Sequence, residues 1–271
     1  MKTGILLMAH GSPENVDQMG DYLRHVLTRK PPTPEIIKEF QERYTLIGGK
    51  SPLLEISRKQ AAALQVKTDV PVYVGMRHWH PFIKDAVEQA RKDGIDRLVG
   101  LPLAPQYSRV SVGAYHAELA KTGIDHVNVS NWHLEPALLR YWKEATAGRE
   151  FVLFTAHSIP SEGAEPYPTQ LREMVKAIAG GQHAFGYQSR SPSPIPWLGP
   201  EVPEVLVSLP RAEISVAAIG FICDHVEVLY DLDILHRDQA ESIGLRWNRL
   251  PMPNDHPLLI EALASAAGKV L

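Results

Sequence analysis

A chain of 271 residues is long enough for one large domain or for two of about 130 residues each. Hydrophobic residues make up 44% and charged residues 22%, as in an ordinary globular protein, and a net charge of −3 with scattered Lys and Arg gives no footing for a nucleic-acid partner. The one cysteine, Cys223, excludes a disulfide framework or a Cys-rich metal cluster within the chain and fits a reducing cytoplasm.

In chain order, short apolar runs recur at 4–9, 70–76, 97–104, 126–130, 151–156, 183–189 and 214–222. They are near-continuous rather than alternating, as expected of parallel strands covered on both faces. Helix-like segments separate most of them. Residues 51–66 open on Ser51-Pro52, with Glu55 read as a capping-box partner. Residues 80–93 place Phe82, Ile83, Ala86, Val87 and Ala90 on one face, and Gly94 stops that helix. Residues 256–270 read as a final amphipathic helix. Two loops stand out, at 29–35 and 189–200, both rich in proline; Trp197 in the second is expected to pack back onto the body.

Repeated βα order argues for an α/β protein with parallel sheets. A polar segment at 143–150 suggests a hinge, so an N-terminal lobe is expected over 1–145 and a C-terminal lobe over 146–271. The first apolar run is shorter than a signal-sequence core, and none approaches the ~20 residues that span a bilayer. A cytoplasmic location follows as an expectation. No heptad or dominant exposed apolar stripe is present, so a monomer is expected.

In open parallel sheets, ligands sit outside the carboxyl ends of the strands. His10 follows the first run, Arg77 and His78 the second, Gln106 to Ser108 the third, His157 and Ser158 the fifth, and Asp224 and His225 the last. A histidine directly after a buried strand is either a ligand or general base, or a loop and capping residue. In "GFICDHVEVLYDLD" (220–233), Asp224 is a natural N-cap. At 100° per residue, Glu227 and Asp231 share one helical face with Asp224, and Asp238 returns to it if the helix runs on. His225 lies roughly 200° from Glu227 on such a wheel. Such a row is commonly a solvated face. Apolar neighbours would instead desolvate it, raise its pKa values and suit it to a cation or to protons. Histidine nitrogen with carboxylate oxygen and no cysteine suits Fe²⁺, Co²⁺ or Zn²⁺. HExxH, Walker, GxGxxG and GxSxG patterns are all absent.

The stretches "MAHGSPE" (8–14), "RYTLIGGKSPLLEIS" (43–57), "AHSIPSEGAEPYPTQL" (156–171), "PWLGPEV" (196–202) and "GFICDHVEVLYDLD" together resemble ferrochelatase, the enzyme that inserts ferrous iron into a porphyrin. The likeness is to the compact bacterial enzymes, several of which act on coproporphyrin III. It implies two Rossmann-like lobes with a tetrapyrrole cleft between them. It implies His157 and Glu227 as the catalytic, metal-facing pair and Asp231 as an acidic relay. His10, Arg29, Arg43, Tyr44, Ser51 and Tyr115 match porphyrin-lining positions, with Arg77 and His78 in support. Met8, Trp79 and Trp197 are candidates for the apolar rim. Relatives carry tyrosine where this chain has His10, and an acidic residue where it has Leu235. The resemblance further implies Fe²⁺ as a substrate, no tightly bound cofactor or iron–sulfur cluster, haem as the product, and room for transient contact with neighbouring haem-pathway enzymes. Two rivals stand beside it. One is a sirohydrochlorin cobalt or iron chelatase, suggested by "HGS" after the first strand. The other is a non-enzymatic haem-binding protein, which needs an apolar slot but no acidic row.

Overall fold

The computed structural model describes residues 2–27, 30–191, 194–209 and 213–271. Arg29 therefore lies outside the described residues.

Two four-stranded parallel sheets form the frame. In the first half, β1 (Thr3–Ala9), β2 (Val72–Met76), β3 (Arg97–Pro102) and β4 (Asp125–Asn128) lie in the order β2-β1-β3-β4. In the second, β5 (Phe151–His157), β6 (Gln182–Gln188), β7 (Glu213–Ala217) and β8 (Arg246–Arg249) lie in the order β6-β5-β7-β8. The halves thus share one topology. In each, the chain steps to one side of its first strand and then crosses to the other, which opens a crevice at the strand's carboxyl end. The central strands are buried on both faces: Ile5 to Met8 and Leu153 to Phe154 have no exposure. This explains their unbroken apolar runs.

The last predicted run was too long. β7 stops at Ala217, and residues 218–222 turn away. Gly220 passes directly over β5, where a Cβ would stand 2.6 Å from the Cβ of Ala156. No side chain fits there, so only glycine allows the turn to pass this close to β5. β8 (RWNR) was missed because an edge strand with polar residues carries no apolar run.

The helices are α1 (Met19–Val26), α2 (Pro34–Leu46), α3 (Leu53–Thr68), α4 (Ile83–Lys92), α5 (Val112–Lys121), α6 (Pro136–Thr146), α7 (Tyr167–Ile178), α8 (Val202–Leu206), α9 (Val226–Leu229), α10 (Arg237–Ser242) and α11 (Pro257–Gly268). A 3₁₀ turn precedes α1, and a π-helical turn, Asp231–His236, joins α9 to α10. The loop predicted at 29–35 ends early, because Thr33 caps α2 and Pro34 opens it. The capping box predicted for α3 does not form. Glu55 is four residues after Ser51, one too many, and pairs with Lys59 at 3.0 Å instead. Asp93 is the last residue of the α4 cap, and Gly94 follows with φ +77, the left-handed conformation expected of it.

The C-terminal helix is amphipathic, as expected. In α11, Leu259, Ala262, Leu263 and Ala267 are fully enclosed, while Pro257, Glu261, Ser265 and Gly268 form an exposed stripe. It packs on α6 and α3, elements of the first half. Lys269 at its end pairs with the buried Glu135 at the start of α6. Among the described residues, no helix is long and apolar enough to cross a membrane.

Candidate active site

The two crevices face each other across one cleft. Its walls come from the segments after β1, β3, β5 and β7, so both topological switch points open into the same space. The enclosed part has a volume of about 270 Å³. That is near the lower end for ligand pockets, so a broad flat ligand must project from it.

His157 ends β5, and Glu227 opens α9. Their side chains meet at 3.4 Å, Nε2 to Oε1, and both remain about one-third exposed to the cleft. The imidazole is oriented by its other nitrogen: Nδ1–H donates to the Ser158 carbonyl oxygen. That bond leaves Nε2 as the basic atom of the neutral ring, aimed at the cleft. Tyr167, at the start of α7, donates its hydroxyl to the His157 carbonyl at 3.1 Å. On the partner side, Gln188 at the end of β6 donates to the Glu227 backbone carbonyl at 2.8 Å, while its own carbonyl accepts from Ser158 N–H at 2.7 Å. One residue thus ties both members of the pair to the sheet.

Burial opposes charge on both groups, but each is the other's counter-ion. The Glu227 carboxylate raises the His157 pKa above the ordinary imidazole value, and His157 holds Glu227 well below the carboxylate range. Asp231 is different. It is 6% exposed, and burial, with Glu227 nearby, pushes its pKa up to about 6 against the bond it accepts from the Ser189 hydroxyl. Ser189 holds φ +61, an uncommon conformation for a residue with a side chain.

The wheel drawn for 224–238 fails beyond this pair. His225, not Asp224, caps α9, its Nδ1 accepting from Glu227 N–H at 3.3 Å. Asp224 turns away to Arg249 (3.2 Å) and to the Asn254 side chain (2.8 Å). Asp233 joins Arg249 from the other side at 2.5 Å. Asp238 sits outside beside Arg237 at 3.5 Å, and Leu235 is 40% exposed. The π-helical turn breaks the 100° step on which the wheel depends. The acidic row therefore reduces to Glu227 and Asp231. Among the described residues, no three His, Cys, Asp or Glu side chains gather as ready metal ligands.

The opposite wall comes from the first half. His10 follows β1 and opens to the lumen, and its ring centroid lies 4.5 Å from that of His78. Enclosure by the walls, and His78 beside it, hold its imidazole far below the ordinary pKa. It is a neutral nitrogen donor with no hydrogen bond among the described residues. His78 is buried and fixed by a 2.9 Å bond to the His25 carbonyl, and burial lowers it to about 4. Gly11 makes the turn after His10 with φ +95, and a Cβ there would stand 2.9 Å from Trp79 N. Tyr44, Ser51 and Tyr115 also line the cleft, all buried, and burial raises both phenols. Among the described residues, the Tyr44 hydroxyl has no hydrogen-bond partner.

Other expected residues stand elsewhere. Arg43 is not on the cleft wall; it pairs with Glu39 at 2.5 Å and its guanidinium lies 5.2 Å from the Tyr230 ring. Arg77 stands behind His78 and donates to the Val110 carbonyl at 2.9 Å. Met8 is core between β1 and its helices, and Trp79 packs among Met19, Tyr22 and Leu23; neither reaches the cleft. Trp197 packs back as expected, bridging to Pro160, but it too lies off the wall. Lining residues missed in sequence include Tyr22, Leu53, Ser111, Ile159, Tyr167 and Phe221. "AEPYP" offered the only local signal, a tyrosine between prolines; the others come from helices or turns whose facing depends on the fold.

The ferrochelatase family model matches residues 2–270. Coproporphyrin III ferrochelatase of Geobacillus kaustophilus is 37% identical, covering 98% of this chain and 95% of its own. The protein of the same name from Bacillus subtilis is 36% identical over 100% and 98%. Ferrochelatase of Herpetosiphon aurantiacus is 33% identical over 97% of each. Among solved structures, SirB from Bacillus subtilis with Fe³⁺ covers 99% of this chain and 95% of its own with a TM-score of 0.62, at 12% identity, a likeness of fold.

Proposed function

The chain belongs to the ferrochelatase family and inserts ferrous iron into a porphyrin in haem biosynthesis; from that premise we propose that the substrate is coproporphyrin III and that His157 and Glu227 carry the exchange of protons for metal. The carrying observation is the 3.4 Å pair at the floor of the cleft.

A free-base porphyrin gives up two N–H protons as it gains a dication. Neutral His157 takes a pyrrole proton at Nε2, and the new imidazolium is held by Glu227. Two protein donors leave the remaining coordination of Fe²⁺ to the macrocycle, which suits an ion passed on rather than kept. Asp231, poised near pH 6 behind Glu227, accepts the proton next and passes it outward through Ser189. From the facing wall, His10 offers a neutral nitrogen to the iron of the product. Tyr44, Ser51 and Tyr115 line the macrocycle face. Arg43 must leave Glu39 to reach a substrate carboxylate, and Arg77 and His78 fix the wall behind His10. Arg29 belongs to the same porphyrin-binding set by resemblance alone.

The preference for coproporphyrin III rests on the names of relatives at 35–37% identity. No resident cofactor or iron–sulfur cluster takes part in this reading, and the protein acts as a monomer in the cytoplasm, with neighbouring haem-pathway enzymes as transient contacts. The test is anaerobic Fe²⁺ insertion with coproporphyrin III and protoporphyrin IX in parallel. Faster insertion into coproporphyrin III is expected. Equal or slower insertion overturns the substrate assignment, and no insertion into either overturns the reading as a whole.

A further inference from the structure

One cation at the cleft has no assigned role. Arg109 lies in the loop 105–111 between β3 and α5, and its neighbours Ser108, Val110 and Ser111 line the cleft wall. That loop is pinned on every side. Ser111 N–H donates to Ser108 Oγ at 3.1 Å, Gly113 N–H to the Ser108 carbonyl at 3.0 Å, and Tyr107 N–H to the Gln170 side chain of α7 at 2.7 Å. Arg77 clamps the Val110 carbonyl at 2.9 Å. The position of residue 109 is thus set by both halves of the molecule.

Its side chain is nevertheless unengaged. Arg109 is exposed and has no hydrogen bond, ion pair or ring contact among the described residues. Its guanidinium reaches across to the loop after β5. Nη2 and Nε lie 3.7 and 3.9 Å from where a Cβ would stand on Gly163. Gly163 holds φ +67 and presents only backbone there. Glu165 in the same loop is turned to Arg172 at 3.6 Å, and Glu162 makes no ion pair among the described residues. The neighbouring guanidinium, Arg77, is bound to the Val110 carbonyl and lines a separate groove with Glu88 and Glu118. The Arg109 charge thus stands unpaired, among the described residues, beside Val110 at the edge of a cleft whose ligand projects from it. An unpaired guanidinium on a rigid loop is pre-arranged for a carboxylate, with little ordering left to do.

We propose that Arg109 is a specificity-determining residue that binds a peripheral carboxylate of the porphyrin at the seam between the 105–111 and 159–167 loops. This rests on the porphyrin reading and adds to it the residue that recognises the acid groups.

The test measures porphyrin affinity and steady-state insertion for the full chain and for Arg109→Ala and Arg109→Lys. The ligands are coproporphyrin III and its tetramethyl ester, in the same detergent. For Arg109→Ala, the Kd and KM for coproporphyrin III should rise roughly five- to twentyfold with kcat within about twofold, the size of one charge-assisted bond. Arg109→Lys should recover part of the loss. Ester binding should not change in either variant. Unchanged coproporphyrin III affinity in Arg109→Ala overturns the proposal. An equal loss for the ester also does, since that marks a latch between the loops. If the unmodified protein binds no porphyrin, the porphyrin reading fails instead.

Discussion

His157 Nε2 stands 3.4 Å from Glu227 Oε1, one residue at the end of a β-strand and the other in the first turn of a helix 70 positions later. Neither is held by the other alone. The Ser158 carbonyl turns the imidazole, and Gln188 holds the backbone of Glu227. The pair is an imidazole and a carboxylate that support each other's charge.

Removing the base should stop the chemistry and spare the slot. His157→Ala is expected to abolish iron insertion while porphyrin affinity stays within about tenfold, or ~1.4 kcal/mol. Glu227→Gln should lower kcat by about 10²-fold or more. A haem carrier would keep its ligand affinity in Glu227→Gln and have no turnover to lose. Measurable turnover in His157→Ala at the unmodified rate would refute the assignment.

The pH profile carries the coupling between the two. A proton acceptor works only when neutral, so kcat/KM should rise with pH through the His157 pKa, which Glu227 holds above the ordinary imidazole value. Removing the carboxylate removes that support while burial continues to act. The rising limb of Glu227→Gln should therefore move to lower pH. A limb that stays in place, or moves up, means that another group controls it.

Asp231 predicts a stability effect of opposite sense to a salt bridge. Its folded pKa of about 6 exceeds the ordinary 3.8, so folding favours the neutral acid. Stability from this group is fully present below 3.8 and is lost as pH rises through 6. Asp231→Asn should thus raise Tm at pH 7.5, by an amount equivalent to about 1–3 kcal/mol, and leave it unchanged near pH 3.5. The same substitution should slow iron insertion, since the relay is lost. A lower Tm at pH 7.5 would show that the Ser189 bond outweighs burial.

His10 makes a spectroscopic prediction. If it ligates the iron of the product, the absorption and electron paramagnetic resonance spectra of the product complex should change in His10→Ala. Added imidazole should restore them. Identical spectra before and after substitution would reduce His10 to a wall residue.

Gly220 tests how the turn after β7 aims the site. A methyl group there meets Ala156 at 2.6 Å, immediately before His157, so Gly220→Ala should cost about 1–3 kcal/mol and reduce kcat. Gly180→Ala, with open space around it, is the control and should do neither. Equal effects in the two variants would show that the close approach does not matter.

What sequence alone determined was the class of fold, the family and which polar residues stand at the strand ends. Unbroken apolar runs such as GILLMA and FVLFTA, alternating with helical segments, fit strands covered on both faces, and His10 and His157 come directly after or at the end of them. The motif set from "MAHGSPE" to "GFICDHVEVLYDLD" carried the family and the pair His157 and Glu227. Tertiary structure decided what local rules could not reach. The strand-to-turn break at 218–222 depends on Gly220 meeting Ala156, a residue 64 positions earlier. The fate of Asp224 depends on Arg249 and Asn254, and the narrowing of the acidic row depends on a π-helical turn. Arg43 leaves the wall because Glu39 and Tyr230 compete for it. Periodicity reports how a segment is covered, but the direction of a polar side chain depends on which distant partner offers the better bond.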